Sequence, residues 1–290
     1  MPKDVKPATT FEEQLAILMG RGLIVENREK ALEILSRLNY YSFSGYLHDF
    51  KRDGGRFIHG LSFDKVWNIY KFDQRFRNIL LYIIEAVENN IKTKMAYNFS
   101  HEYGPLAYLD ASIFKIESEH EMFCKKLTKS IHNNIKVPFV KHHLNHYDGQ
   151  FPFWVAVNLF TFGMLYSFFK NMPTKMQRVI AREFNTGPQQ LISWLENMTY
   201  TRNLVAHYMR IYNFMLQKTP MKCTNHILLQ EPTHKIFDQV GIMKFLYPDK
   251  EDWNFYFLSN MSSLILEYSP YVDLSCIGFP ENWENVLRIN

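Results

Sequence analysis

The stretch SFDKVWNIYKFDQRFRNILLYIIEAVENNIKTKMAYNF, residues 62–99, decides the fold. Its apolar side chains return at steps of three and four residues, the spacing that places them on one face of an α-helix. The pattern predicts one long amphipathic helix, which Tyr103-Gly104-Pro105 ends because glycine and proline stop helices. The apolar positions are Val66, Ile69, Tyr70, Phe76, Ile79, Leu80, Ile83, Ile84, Val87, Ile91 and Met95.

Helical patterns also lie on both sides of this segment. Thr10 and Glu13 have capping-box spacing, which predicts the start of a first helix, and a second helix is expected after Asn27. Because no convincing run of alternating strand residues occurs, the predicted fold class is all-α. We expect a helical N-terminal segment at 1–61, a helical core at 62–218 and a less regular C-terminal extension at 219–290 that packs on the core. Within 62–218, further helical patterns cover residues 114–133, 138–147, 152–171, 174–184, 188–200 and 201–216.

Composition indicates a folded globular protein. The 290 residues are 47% hydrophobic and 16% aromatic, with only 12 Gly and 12 Pro, so a substantial core is expected and long disordered tracts are not. The formal charge of +4 means that contact with nucleic acid would depend on a local basic patch. Three scattered cysteines favour neither a disulfide framework nor a cysteine-based zinc site, and MPKDVKPATTFEEQ lacks the apolar core of a signal peptide. A cytoplasmic location is therefore expected.

The uncharged stretch GQFPFWVAVNLFTFGMLYSFF, residues 149–169, admits two interpretations. It is about long enough to span a bilayer. However, Pro152, Asn158 and Gly163 interrupt it, and a helix that is apolar all round is also what the centre of a bundle requires. We expect a buried central helix and no membrane association.

A polar stripe is predicted in TRNLVAHYMRIYN, residues 201–213. If the segment is helical at about 100° per residue, Arg202, Asn203, His207, Arg210 and Asn213 fall within about 140° of one another. The rest of the wheel is apolar and would face the bundle. That apolar face holds Leu204, Val205, Tyr208, Met209, Ile211 and Tyr212.

Such a stripe suits an anionic substrate. Arg202 and Arg210 can hold phosphate oxygens by charge-assisted hydrogen bonds, and His207 can exchange protons near neutral pH. RNA cleavage by attack of a 2′-hydroxyl on the adjacent phosphorus needs both functions. A base or acid must transfer protons, and cations must stabilise the phosphoryl centre. That scheme requires no metal and no cofactor. Glu196 could orient His207 or form a salt bridge with one of the arginines, and a merely solvated polar face is the alternative for the whole stripe.

These residues carry a family resemblance. Arg202-Asn203-Leu-Val-Ala-His207 resembles the R-x4-6-H motif of HEPN ribonucleases. Residues 11–50, 70–110, 151–172 and 193–213 resemble, in that order, the Abi family of bacterial abortive-infection proteins, in particular its AbiD/AbiF-like group, and GFPENW at 278–283 resembles the C-terminal end of that group. Two departures are visible, since Tyr208 stands where the family often has a second His and Tyr212 where it often has Trp.

The resemblance implies a HEPN-type helical bundle, a role in antiphage defence and a toxin-like, metal-independent endoribonuclease activity. At matching positions it implies Arg202 and His207 as the catalytic pair, Asn203 as their polar neighbour, and Arg210 and Asn213 as RNA-binding or supporting residues. HEPN nucleases usually join two motifs in one active site, and this chain supplies one good motif. A homodimer is therefore expected. RNA is the expected partner, with a regulatory RNA or an antitoxin as the expected restraint.

Other residue patterns leave alternatives open. His142, His143 and His146 could hold a metal or form a polar helix end. The aromatic residues of NYYSFSGY, residues 39–46, could stack on RNA bases or belong to the core. They are Tyr40, Tyr41, Phe43 and Tyr46.

Two further pairs, Arg52 with His59 and Lys94 with His101, fit the motif only loosely: Arg52 and His59 flank a Gly-Gly turn, and the other pair lacks the arginine. The alternative function for the chain is a non-catalytic RNA-binding protein that uses the same stripe. An intact Arg202 and His207 favour the enzyme, because binding alone would not need a titrating group.

Overall fold

The computed structural model describes residues 7–222 and 231–289, and over these ranges the fold is all-α, as predicted. Isolated bridges pair Ile24 with Ser62 and Lys51 with Phe57, and no longer strand occurs in these ranges. Short 3₁₀ turns, loops and one π-helical segment at Trp253–Leu258 connect the described α-helices. The α-helices are α1 (Phe11–Gly20), α2 (Arg28–Arg37), α3 (Tyr40–Leu47), α4 (Phe63–Tyr103), α5 (Glu117–Asn133), α6 (Pro138–His146), α7 (Phe153–Ala156), α8 (Phe162–Asn171), α9 (Thr174–Arg182), α10 (Pro188–Ala206), α11 (Ile236–Leu246), α12 (Lys250–Asp252), α13 (Ser259–Tyr268) and α14 (Trp283–Leu287).

Helix α4 is the central element, and its prediction from the sequence is confirmed. It has 41 residues and is therefore about 60 Å long. The side chain of Ser62 accepts the backbone N–H of Lys65 at 3.1 Å and so caps the start of the helix. At the other end Gly104, with φ of 99°, donates its N–H to Ser100 at 2.9 Å. Helices α3, α7, α9, α10, α11 and α13 all pack against α4.

The N-terminal helices begin at the predicted caps. The hydroxyl of Thr10 accepts the N–H of Glu13, whose carboxylate accepts the N–H of Thr10, so the capping box is formed. Asn27 accepts the N–H of Lys30 at 2.9 Å at the start of α2. These signals act within three residues of chain, which is why they can be recognised without knowledge of the tertiary structure.

The uncharged segment at 149–169 is buried in large part but is not the single helix that we expected. It contains α7, a 3₁₀ turn at Val157–Leu159 and the first part of α8. The break occurs because the hydroxyl of Thr161 accepts the N–H of Met164 at 3.3 Å and starts a new helix. Among the described residues, no helix combines the length and apolar character needed to cross a bilayer.

The C-terminal extension is more helical than its sequence pattern predicted. Helix α11 is buried along almost its whole length, including the polar residues Asp238 and Gln239. A helix buried on all sides has no amphipathic period to detect. Helix α11 packs on α4 and α10, and α13 packs on α4, so this part of the chain lies against the helix that carries the predicted motif.

Candidate active site at the end of helix α10

Helix α10 is held in place by its buried side. Pro188 occupies its first turn after Gly187, and Trp194, Leu195 and Met198 are completely buried. Buried polar contacts continue toward its C-terminus, where the hydroxyl of Thr201 donates to the carbonyl of Asn197 at 2.9 Å and contacts Gln239 Oε1 at 3.1 Å. The buried side of α10 therefore holds its last turns, which carry the predicted motif, in place.

The helix ends inside the motif, at Ala206, so the predicted continuation to residue 216 is wrong. Tyr208 has φ of 58°, in the left-handed region. Its N–H donates to Val205 at 3.2 Å, and the N–H of Met209 donates to Leu204 at 3.0 Å. This pair of bonds is a Schellman motif, which closes a helix by satisfying its last carbonyls.

Arg202, Asn203 and His207 lie at this helix end and reach solvent. Asn203 and His207 are exposed and Arg202 is half-buried. Arg202 Nη1 lies 3.4 Å from Asn203 Oδ1, and no described carboxylate forms an ion pair with Arg202. The His207 side chain forms no hydrogen bond with another described residue. The cation and the imidazole are therefore both accessible to a ligand from solvent.

Arg210 does not share the face of Arg202, because the chain turns after Ala206. Its Nη1 donates to the carbonyl of Gly45 at 2.7 Å and to Asp49 Oδ2 at 2.7 Å. Its guanidinium also lies 5.9 Å from the centre of the Tyr46 ring. Arg210 thus joins the segment after the motif to α3, and its predicted role in RNA binding stays a prediction.

Asn213 and Glu196 also have partners outside the predicted stripe. Asn213, with φ of 46°, accepts a hydrogen bond from Lys235 Nζ at 3.1 Å through Oδ1. Glu196 forms an ion pair with Lys218. Arg202, Asn203 and His207 therefore lie at the same exposed helix end, whereas the other three predicted residues make contacts within the protein.

A buried cluster of Asp73, Arg77 and Tyr46, which was not predicted from the sequence, holds the segment after the motif. The Asp73 carboxylate accepts the N–H of Ile211 at 3.2 Å and that of Tyr212 at 2.8 Å. It also accepts Arg77 Nη1 and the hydroxyl of Tyr46, each at 2.5 Å. In a continued helix, the N–H groups of Ile211 and Tyr212 would donate to backbone carbonyls of the preceding turn. Here both donate to one carboxylate of α4.

The electrostatics of this cluster follow from its burial. Asp73 and Arg77 are 0% and 3% exposed, and Arg77 Nη1 also donates to the carbonyl of Met209 at 3.3 Å. Burial raises the pKa of the Asp73 carboxyl, whereas the charge of Arg77 and the hydrogen bonds that Asp73 accepts lower it. Burial and the Asp73 carboxylate raise the pKa of the Tyr46 hydroxyl, which therefore stays a donor.

A signal for this cluster exists in the sequence. Asp73 lies four residues after Ile69, and Arg77 lies seven residues before Ile84, so both fall on the apolar stripe of α4. An acidic and a basic residue spaced i,i+4 on a buried face indicate an ion pair that the core must accommodate. The apolar members of that stripe predict the helix but do not by themselves reveal this ion pair.

The alternative sites predicted from the sequence lie elsewhere. His142 and His146 have ring centres 4.9 Å apart, and His143 stacks on Phe151, but no group of three or more metal-ligating side chains forms among the described residues. Lys94 forms an ion pair with Glu183 at 2.8 Å. The pair Arg52 and His59 is exposed around the Gly54-Gly55 turn.

The apolar surface beside the motif is exposed. Tyr208 is 80% exposed and Met209 is 51% exposed. Both follow His207 directly. These two side chains thus form an exposed apolar patch directly after His207.

Comparison with known proteins identifies a family. A model of the Abi-like protein family matches residues 33–213, a range that runs from α2 through the candidate active site. No curated protein and no solved structure matches the chain.

Proposed function

The chain belongs to the Abi-like protein family, whose membership supports a role in abortive infection and defence, and on that premise we propose that it is a metal-independent endoribonuclease. The observation that carries the proposal is the placement of Arg202 and His207. Both lie at one exposed helix end, and neither is paired with a described carboxylate. A guanidinium without an ion-pair partner and an accessible imidazole at the same helix end support phosphate binding and proton transfer.

The proposed reaction is attack of an RNA 2′-hydroxyl on the adjacent phosphorus. The O–P bond to the 2′ oxygen forms, and the bond to the 5′ oxygen of the next nucleotide breaks. His207 accepts the proton of the 2′-hydroxyl or donates a proton to the leaving oxygen, and Arg202 stabilises the phosphoryl oxygens. In this proposal Asn203 donates from Nδ2 to the same phosphate, while its Oδ1 accepts from Arg202.

Two motifs would provide a base and an acid at once. A homodimer that joins two α10 ends around a two-fold axis places one His207 from each copy at the shared site. Exposed Tyr208 and Met209 support this arrangement, because the dimer would remove their apolar surface from water. The partners proposed are therefore RNA and a second copy of the chain, acting in the cytoplasm under restraint by a regulatory RNA or an antitoxin.

The same surface also suits a protein that binds RNA without cutting it, since Arg202 and Asn203 alone can hold phosphate. The two functions make different demands on His207. An enzyme needs its proton transfer, whereas a binding protein tolerates a neutral polar replacement.

The test is cleavage of total RNA by purified protein in EDTA. We expect the wild type to cleave, and we expect His207→Ala and Arg202→Ala to be inactive. The matched controls are His146→Ala, an exposed residue at the end of α6, and Arg178→Ala, an exposed residue of α9, and both should retain activity. If every variant binds RNA as the wild type does and none of the proteins cleaves it, the result favours a non-catalytic RNA-binding protein over the proposed nuclease.

A further inference from the structure

A cavity lies between the N-terminal helices. Its volume is about 840 Å³, and it is bounded by α1, the junction between α2 and α3, and Lys51. This volume falls in the range of sites that hold small ligands. The motif residues Arg202 and His207 are not among those that line it.

The charged residues that line this cavity have one sign. Arg21, Arg37 and Lys51 line it, and no carboxylate is among the described lining residues. Arg37 is paired with Glu33 at 2.5 Å. Within residues 7–222 and 231–289, Arg21 and Lys51 form no ion pair, so their charge is available to an anion.

The backbone holds these two cationic residues close to one another. Phe57 donates its N–H to the carbonyl of Arg21 at 2.8 Å and forms a bridge with Lys51. Phe57 is itself buried and lines the cavity. Burial raises the pKa of the Tyr40 hydroxyl, and the positive charge of Arg21 opposes that rise. Phe57 thus links the backbones of two cationic residues that form no ion pair with a described residue.

Of the aromatic side chains at residues 39–46, two lie in the core and two line this cavity. Phe43 and Tyr46 are buried, as a core cluster would be. Tyr41 is 80% exposed, and the Tyr40 and Tyr41 rings meet edge to face with centres 6.0 Å apart. Both tyrosines line the cavity. An exposed ring beside unpaired cations is the arrangement on which nucleic acid bases stack.

Gln14 is a polar residue of the cavity wall whose side-chain oxygen is buried. Its Nε2 donates to the carbonyl of Thr9 at 3.1 Å, whereas its buried Oε1 has no hydrogen-bond partner among the described residues. A buried acceptor without a partner is destabilising. The adjacent Glu13 is engaged in the capping box with Thr10, so it does not neutralise the nearby cations.

We propose that this cavity binds a nucleotide, with its phosphate held by Arg21 and Lys51 and its base stacked on Tyr41. The nucleotide is either a free molecule or one unit of a single-stranded RNA, which share this chemistry. Helix α3 contributes Ser44 and Leu47 to the cavity.

The inference does not depend on RNA cleavage by His207, so it is tested in the His207→Ala background, where the proposed nuclease is inactive. Binding of AMP, GMP, CMP and UMP, and of an unstructured RNA of eight nucleotides, is measured by isothermal titration calorimetry. Tyr41→Ala is expected to weaken binding by roughly fivefold to a hundredfold. Arg21→Ala and Lys51→Ala should weaken it as well and reduce its salt dependence.

Matched controls separate this site from general charge and aromatic effects. Arg28→Ala and Tyr97→Ala remove exposed side chains outside the cavity and should leave binding unchanged. Thermal unfolding of each variant verifies the fold, and Tyr41→Phe should restore binding because it keeps the stacking ring.

Each outcome decides the question. Mononucleotide binding that falls in the three cavity variants identifies a free nucleotide as the ligand. If the three cavity variants bind RNA more weakly and no mononucleotide binds, the ligand is one unit of a single-stranded RNA. If neither probe binds, or if the cavity variants bind both probes as the parent does, the proposed nucleotide site is overturned.

Discussion

Asp73 accepts the backbone N–H of Tyr212 at 2.8 Å, across 139 residues of sequence. The same carboxylate accepts the N–H of Ile211, and its partner Arg77 donates to the carbonyl of Met209. One buried ion pair of α4 thereby fixes the backbone that follows the candidate active site. The chain that follows the exposed motif is thus attached to a charge pair that is almost completely buried.

The first prediction concerns the stability of this buried pair. Asp73→Ala leaves the Arg77 guanidinium buried without its partner and should lower the free energy of unfolding by about 3–5 kcal/mol. Urea unfolding followed by circular dichroism measures the change. Asp64→Ala is the matched control, because the exposed Lys30–Asp64 pair should contribute at most about 1 kcal/mol. A loss below about 1 kcal/mol for Asp73→Ala would show that the pair does not hold this segment.

A second prediction separates the two arginines of the motif region. Arg210→Ala removes charge-assisted hydrogen bonds to Gly45 and Asp49 and should destabilise the protein by about 1–3 kcal/mol. Arg202→Ala, which loses no ion pair with a described residue, should leave the unfolding temperature unchanged while abolishing RNA cleavage. Equal effects of both substitutions on stability would contradict the different placements of the two side chains.

The backbone at Tyr208 supports a third prediction. A side chain in the left-handed region is strained by about 1–2 kcal/mol relative to glycine. Tyr208→Gly should therefore keep or raise the unfolding free energy, although it deletes a large side chain. Tyr208→Val, which is β-branched, should lower it. Chemical denaturation of both variants measures the difference, and a stabilising valine would be inconsistent with the observed helix end.

A fourth prediction addresses the proposed dimer. Met209→Glu places a charge beside the motif and should convert a homodimer into monomers, with loss of RNA cleavage. Met122→Glu is the control, since Met122 on α5 is similarly exposed at 56%. Sedimentation velocity measures the oligomeric state. A cleaving monomer, or a dimer unaffected by Met209→Glu, would remove the proposed interface.

Local signals in the sequence predict much of this fold. The caps at Thr10 and Asn27, the apolar period of α4 and the stop at Gly104 depend on residues within a few positions of each other. Such interactions do not require the rest of the structure. Helices α5, α6, α9 and α10 begin within three residues of their predicted starts for the same reason.

The end of α10 could not be predicted in this way. Residues 204–212 keep apolar side chains at helical spacing, so the local pattern favours continuation. The chain turns instead because Asp73 provides acceptors for Ile211 and Tyr212 from 138 and 139 residues away. The tertiary fold likewise determines that Glu196 pairs with Lys218 and that Asn213 pairs with Lys235.

Product ends test the central claim most directly. RNA cleaved by the purified protein in EDTA is analysed by mass spectrometry, with a substrate carrying 2′-deoxy nucleotides as the chemical control. Attack by the 2′-hydroxyl predicts 2′,3′-cyclic phosphate and 5′-hydroxyl ends, no cleavage of the deoxy substrate, and no cleavage by His207→Ala. Products with 3′-hydroxyl and 5′-phosphate ends, or undiminished cleavage by His207→Ala, would contradict the account.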